Sequence, residues 1–335
     1  MRGIFLSLFT LLLARVGGCG HQSIFNAAGP ASQKIANLFI WVLAVFLIIT
    51  CVMWALIVML VGRPRGNFQE HAPVRIGGGH AWVLGGGFAF PAVILFIVFI
   101  SGLAIMSDFP IHDGPKTAPE IRIVGHQWWW QVEYLEGSVD QHFTTANEIH
   151  IPVGRPVDIA LASTDVIHSF WVPELHGKVD LIPGQQNSIR IQADRPGAFR
   201  GQCAEYCGAQ HAHMILLVIA DPPEQFESWL SRQRAVAASP TEADAIAGQH
   251  VFENRPCGLC HTVRGTEAQG RVGPDLTHFG SRQRLAANML PNDPADLEAW
   301  VTHAQSLKPA SYMPNITDFN GLQLREIVAY LQQLK

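Results

Sequence analysis

The sequence predicts a multi-domain membrane protein: a two-helix transmembrane hairpin, then an all-β domain of sandwich type, then a small all-α domain. Three observations predict it. Hydrophobic residues make up 48% of the 335 positions and charged residues only 15%, with a mean hydropathy of +0.17, which is too apolar for an ordinary soluble chain. Two long runs, Ile35 to Val61 and Trp82 to Ile105, contain no charge. Beyond Ser107 the pattern turns to strand-like alternation, and a helical period returns only after Pro223.

The chain opens on Arg2, the apolar stretch Ile4 to Leu13, and then Val16-Gly17-Gly18-Cys19. A basic start, a short apolar run and small residues make a signal peptide over 1–19. A cysteine straight after small residues also has the form of a lipoprotein cleavage box, with Arg15 an atypical neighbour, so lipid attachment at Cys19 stays open. The hairpin follows over 27–107. Its helices, at about 35–61 and 82–105, are each long enough to cross a bilayer core of about 30 Å, and buried core helices rarely run so far without charge. Between them Arg63, Arg65 and Arg75 face a single acidic residue, Glu70. That excess places the loop in the cytoplasm, with the N-terminus and everything after Ser107 outside.

Residues 118–221 read as the β domain. Val157-Asp-Ile-Ala-Leu-Ala, Ser188-Ile-Arg-Ile-Gln and Met214-Ile-Leu-Leu-Val-Ile have strand patterns, and an antiparallel sandwich or barrel is expected. A polar helix in the linker 222–240 has Phe226, Trp229 and Leu230 as its apolar contacts. The last domain, 241–335, starts a helix at Thr241-x-x-Asp244. It ends on a helix from Gly321 to Leu334 with apolar Leu322, Ile327, Val328 and Leu331. The net charge of −4 comes with no basic cluster, so nucleic acid is excluded as a partner. The last domain carries ten acidic and eight basic residues, so electrostatic capture of a partner should be modest.

Two cysteine pairs carry the chemistry. Cys203-Ala-Glu205-Tyr-Cys207-Gly-Ala-Gln-His211-Ala-His-Met214 sets two thiols, an imidazole and a thioether within twelve residues. Such soft ligands suit copper rather than magnesium or calcium, and a second thiolate suggests two coppers sharing bridging sulfurs. His168, in Thr164-Asp165-Val-Ile-His168-Ser-Phe-Trp-Val-Pro173, is the natural second imidazole. In an exported domain close cysteines would otherwise read as disulfides. Cys257-Gly-Leu-Cys260-His261 is the c-type haem attachment motif, with two thiols for thioether bonds and His261 for the iron. A thioredoxin-like redox pair would lack the histidine. The sixth ligand lies among Met289, Met313, His278 and His303, and methionine opposite histidine raises the haem potential. Cys51, in the first span, reads as a small apolar filler.

The motif Cys-x-Glu-x-Cys-x3-His-x2-Met, with His168-Ser-Phe-x-Val-Pro173 upstream, resembles the binuclear CuA site of cytochrome c oxidase subunit II. Gly125-His-Gln-Trp128-Trp-Trp130 and Asp180-Leu-Ile-Pro183-Gly184 are similar to two further segments of that family. A two-helix hairpin before a Greek-key cupredoxin domain is the family's layout. This resemblance covers roughly Ala27 to Leu230. Gly273-Pro274-Asp275-Leu276 and Lys308-Pro-Ala-Ser-Tyr-Met313-Pro314 resemble the proximal and methionine loops of class I cytochromes c. Met289 falls in what looks like a connecting loop, so Met313 is the expected ligand. The whole chain thus resembles subunit II of a caa3-type haem–copper oxidase.

The resemblance implies that Cys203 and Cys207 bridge both coppers, and that His168 and His211 cap one each. Met214 is then a weak ligand to one, and Glu205 gives its backbone carbonyl to the other. The Glu205 carboxylate is implied to help hold magnesium at the boundary with subunit I. Trp128 is implied to be the residue through which electrons enter, while Trp129 and Trp130 read as core or membrane-interface aromatics. No bond chemistry is expected in this chain: oxygen reduction and proton pumping belong to subunit I. Implied partners are subunit I, subunit III and an external cytochrome c or other donor. The implied location is the bacterial inner membrane, with both electron-transfer domains on the periplasmic side. Where the family has a glutamate near a proton path, this chain has Leu84, seven residues before Pro91, with His80 the nearest ionisable group. Two alternatives stay open: the electron-transfer subunit of a nitric oxide reductase, and a free-standing membrane-anchored carrier. Quinol oxidase subunits lack the copper ligands, and nitrous oxide reductase lacks the hairpin.

Overall fold

The structure, a computed structural model, describes residues 22–63, 79–109 and 120–335. The signal-peptide segment with Cys19, and the loop carrying Arg65, Glu70 and Arg75, lie outside the described residues. The chain divides into two units: the hairpin, Gln33–Phe109, and a second unit that holds both the sandwich and the C-terminal helices.

The hairpin consists of α1 (Pro30–Val61) and α2 (Gly79–Ser107), both long and apolar enough to cross a membrane. Ile48, Val58, Trp82, Phe88 and Phe96 point outward, as helices that meet lipid or a partner must. Within α2 the stretch Val83–Ala89 is wound as a π-helix, and the Phe90 N–H reaches the Gly85 carbonyl five residues back. Gly85-Gly86-Gly87 have no side chains to resist the wider turn. Pro91 has no N–H to give to the ladder, so the widening ends where a helix bond would be lost anyway. Leu84 lies on this stretch, exposed.

Ten strands build the sandwich: β1 (Ile121–His126), β2 (Trp129–Tyr134), β3 (Phe143–Ala146), β4 (Glu148–Pro152), β5 (Val157–Ser163), β6 (His168–Trp171), β7 (Val179–Leu181), β8 (Asn187–Ile191), β9 (Gly197–Cys203) and β10 (Ile215–Asp221). One sheet has the order β3-β2-β1-β5-β8, the other β4-β10-β9-β6-β7. The strands are not all antiparallel as expected: β1 pairs with β5, and β4 with β10, in parallel. The reason is that the chain changes sheets between β3 and β4 instead of returning beside its neighbour. The switch falls on Asn147, in the left-handed region at φ 64°, whose side-chain oxygen accepts the Trp130 N–H at 2.9 Å. Alternation along β2 buries Trp130, Val132 and Tyr134 and leaves Trp129, Gln131 and Glu133 only half-buried. Trp130 is enclosed with Ile123, Ile151, Ile159, Leu161, Phe170 and Leu181 between the sheets. Each such side chain stabilises the fold by about 1.5–3 kcal/mol through the area it removes from water.

The linker helix α3 (Pro223–Arg234) buries Phe226, Trp229 and Leu230 against the sandwich. The C-terminal domain follows, with α4 (Ala243–Asn254), the single turn α5 (Cys257–Cys260), a small ribbon of β11 (Arg284–Leu285) and β12 (Leu290–Pro291), α6 (Pro294–Leu307) and α7 (Gly321–Gln333). Glu242, not Thr241, stands at the start of α4, and no side chain caps it. α7 has a reciprocal capping box between Asn320 and Gln323. It buries Ile327, Val328, Tyr330 and Leu331, whereas Leu322, expected inside, is 53% exposed because it sits in the first turn, beyond the crossing with α4. α4 and α7 cross closely at Gly248, where a Cβ would lie 1.9 Å from the Glu326 carbonyl oxygen.

Candidate metal centre and haem pocket

The copper-type ligand set converges at one rim of the second sheet. His168 opens β6, Cys203 closes β9, and Met214 immediately precedes β10, so three adjacent strands deliver their ends to one point. The register Phe170↔Cys203 and the bond from Cys203 N–H to the Met214 carbonyl at 3.0 Å hold those ends together. The Cys203 and Cys207 sulfurs stand 3.7 Å apart. This is far beyond the about 2.05 Å of a disulfide and within the span of two metal–thiolate bonds of about 2.3 Å each. His168 Nδ1 lies 3.8 Å from the Cys203 sulfur, and His211 Nδ1 3.6 Å from that of Cys207. Met214 Sδ is 4.0 Å from the Cys207 sulfur, and the Glu205 carbonyl oxygen is 3.2 Å from that of Cys203. Two thiols, two imidazole nitrogens, a thioether and a carbonyl therefore face one small volume. The donor set fits a pair of soft metal ions with no position left for a substrate.

The surroundings orient these donors. Asp165 Oδ1 accepts from His168 Nε2 at 2.8 Å, which fixes the ring proton on that nitrogen and turns Nδ1 toward the sulfurs. Burial presses the His168 pKa down, but its bonds to Cys203 and Asp165 outweigh burial and the net shift is upward. Gly125 makes room for the ring: a Cβ there would stand 2.6 Å from His168 Cδ2. The two thiols are within hydrogen-bond reach of one another. The bond from Cys207 holds Cys203 down at about 3, and the same bond together with burial pushes Cys207 far up.

A second site lies across the same unit. A cavity is walled by Cys260, His261, Gly273, Pro274, Trp300 and Met313 of the helical domain, and by Trp128 and Trp129 of the sandwich. Cys257 and Cys260 sit on the single turn α5, and His261 follows at its end. His261 Nδ1 bonds the Pro274 carbonyl at 2.8 Å, so Nε2 is left for an axial bond in the cavity. Burial lowers its pKa and keeps the ring neutral, as a ligand must be. Cys260 and His261 line the cavity and Cys257 opens the same turn, a set that fits a covalently attached haem. Of the four candidates for the sixth ligand, only Met313 is a wall residue; His278 Nε2 is instead bonded to the Ala235 carbonyl at 3.0 Å.

The anticipated copper donors and Cys260, His261 and Met313 fall into two neighbouring sites, whereas His278, Met289 and His303 do not line the cavity. Trp128 touches both: its ring forms part of the cavity wall, and its Nε1 donates to the Cys207 carbonyl at 2.9 Å. Trp130 is core, as read from the sequence. Trp129 is not: it stacks on His126 at 4.4 Å and lines the haem cavity, because its neighbour in the alternating strand takes the core position. Sequence reasoning missed Lys308 and gave Asp165 no role. Asp165 could have been read from its place three residues before His168. Lys308 stands just before the methionine loop, but nothing in one sequence shows that its side chain crosses to another domain.

Comparison with known proteins agrees with this arrangement. Residues 135–220 match the model of the cytochrome c oxidase subunit II periplasmic domain, and residues 245–335 that of cytochrome c. Cytochrome c oxidase subunit 2 of Alkalihalophilus pseudofirmus is 34% identical, covering 98% of this chain and 96% of its own. The subunit 2 of Bacillus sp. (strain PS3) is 28% identical over 82% of this chain and 80% of its own. The crystal structure of the periplasmic domain of the Bradyrhizobium japonicum subunit II is 30% identical, covering 36% of this chain and 96% of that one with a TM-score of 0.33. With a copper-type ligand set on a sandwich rim, a haem attachment turn beside it and a relative matched along nearly its whole length, the chain belongs to the cytochrome c oxidase subunit 2 family, in a form that carries its own cytochrome c domain.

Proposed function

We propose that this chain takes electrons from an external donor into a haem c attached at Cys257 and Cys260, with His261 and Met313 as axial ligands. It passes them to a binuclear CuA centre held by His168, Cys203, the Glu205 carbonyl, Cys207, His211 and Met214, and from there to the haem–copper subunit I. The observation that carries the reading is Trp128, which walls the haem cavity and bonds the carbonyl of a copper-loop cysteine. When bound, haem and copper supply the one-electron chemistry; the protein supplies rigidity and exclusion of water. Ligands fixed at the ends of hydrogen-bonded strands move little when charge changes, and the enclosed rim keeps the site dry. Met214 is fully buried and Cys203 and Cys207 nearly so.

The same reading places both domains on the periplasmic side of the membrane, with subunit III and a small external redox protein as further partners. Glu205 presents a half-exposed carboxylate, 3.6 Å from Lys178, and is the group assigned to magnesium at the subunit I boundary. Replacing Cys207 by Ser tests the copper assignment. The mixed-valence copper spectrum should vanish while the haem bands stay intact; loss of both would contradict two separable centres.

A further inference from the structure

Lys308 caps the end of α6 and is 3% exposed. Its ammonium donates to three backbone carbonyls: Trp128 at 2.8 Å, His213 at 2.9 Å and Ala286 at 3.2 Å. The first two belong to the sandwich, one on the aromatic residue between the sites and the other inside the copper loop. The third belongs to its own domain. Among the described residues no carboxylate pairs with it. Burial presses the Lys308 pKa down to about 7, and removing the donor leaves three carbonyls unsatisfied.

The contacts around Lys308 repeat the theme. Gln210 Nε2 of the copper loop donates to the Pro309 carbonyl at 2.9 Å. Asn288 Nδ2 donates to the Asn147 carbonyl at 2.9 Å and to that of Ile215 at 3.3 Å. The Glu148 carboxylate accepts the Gln283 N–H at 2.6 Å and the Arg284 N–H at 3.2 Å. Ala286, Ala287 and Asn288 all lie in the left-handed region, at φ 55°, 58° and 63°. Three such residues in succession persist only where the surroundings hold them. Here they turn one carbonyl to Lys308 and one side chain to the sandwich.

We infer that Lys308 is a positioning residue for electron transfer between the two centres: it pins the haem cavity wall and the copper loop to a common point at the Trp128 carbonyl. The inference rests on the proposed haem-to-copper route. A tether alone would set an effective concentration for the two domains; Lys308 sets one pose.

The test uses the full chain in detergent, loaded with copper and haem, as the native protein and as Lys308→Met, which keeps the length and removes the donor. Copper and haem contents and both absorption spectra should match in the two proteins, and reduction of the haem by an external cytochrome c should be unchanged. Electron equilibration between haem and copper should slow by on the order of tenfold in the variant. Amide exchange at 128–131, 147–149 and 283–288 should speed up, while that of α4 and α7 should stay the same. An unchanged equilibration rate with unchanged exchange would overturn the inference. So would loss of either cofactor from the variant, since Lys308 would then serve the folding of one domain. If the native chain itself shows no haem-to-copper transfer, the proposed route fails, and the exchange arm still decides whether Lys308 holds the two domains together.

Discussion

At the scale of single residues, the copper loop depends on small clearances and on a hydrogen-bonded thiol pair. Gly125 lies against the His168 ring, and a methyl group there has 2.6 Å to the nearest ring carbon. Gly125→Ala should therefore displace His168 and shift the copper spectrum, leaving the haem bands unaltered; optical and paramagnetic spectra of the purified chain read both at once. The thiol pair sets a pH dependence. The bond between the two thiols lowers the Cys203 pKa and, with burial, raises that of Cys207, which holds its proton more tightly. Copper uptake must release that proton, so apparent affinity should rise with pH through the neutral range, by about tenfold per unit for one proton. Competition titrations at several pH values check the slope, and a flat response would contradict the retained proton. The donor residues that converge on the rim were legible because soft donors at this spacing have few other uses. Asp165 and Gly125 were not: one acts through a hydrogen bond and the other by being small, and neither leaves a pattern in the chain.

At the scale of elements, the two domains are held differently. Strand ends and their register hold the copper rim. The haem pocket is held by loops around a crossing of two helices. Replacing Met313 by Ala should leave the haem attached through Cys257 and Cys260 while its spectrum loses the signature of a methionine ligand. An unchanged spectrum would pass the role to another side chain. Gly248→Val should drive α4 and α7 apart where a Cβ already has only 1.9 Å to a backbone oxygen. Denaturant unfolding followed in the haem band should show a loss of at least about 2 kcal/mol, the scale of overpacking a close contact. The hairpin helices, the strands and the terminal helix were legible from periodicity. The parallel pairs β1–β5 and β4–β10 were not, because alternation tells which face is buried and says nothing about direction. Trp129 was misread for a related reason: in a run of three tryptophans, only the strand register decides which one meets the core and which the cavity.

At the scale of the whole molecule, the helical domain and the sandwich behave as one body in which the cofactor pocket of one is partly walled by the other. Trp128, the residue the family resemblance gives to incoming electrons, is only 7% exposed, set between the copper loop and the haem cavity. The proposed route accordingly makes the chain's own haem the first station and the copper centre a middle one. No single motif announces this, since it arises from two domains meeting at Lys308, Asn288 and Glu148.

The most direct test is rapid-mixing reduction of the copper centre in a chain whose haem attachment is removed by Cys257→Ser with Cys260→Ser. Reduced cytochrome c should then fail to reduce the copper on the timescale seen with the native chain, while a small diffusible reductant still does so and the copper spectrum is normal. Copper reduction by cytochrome c at the native rate without the haem would contradict the serial route.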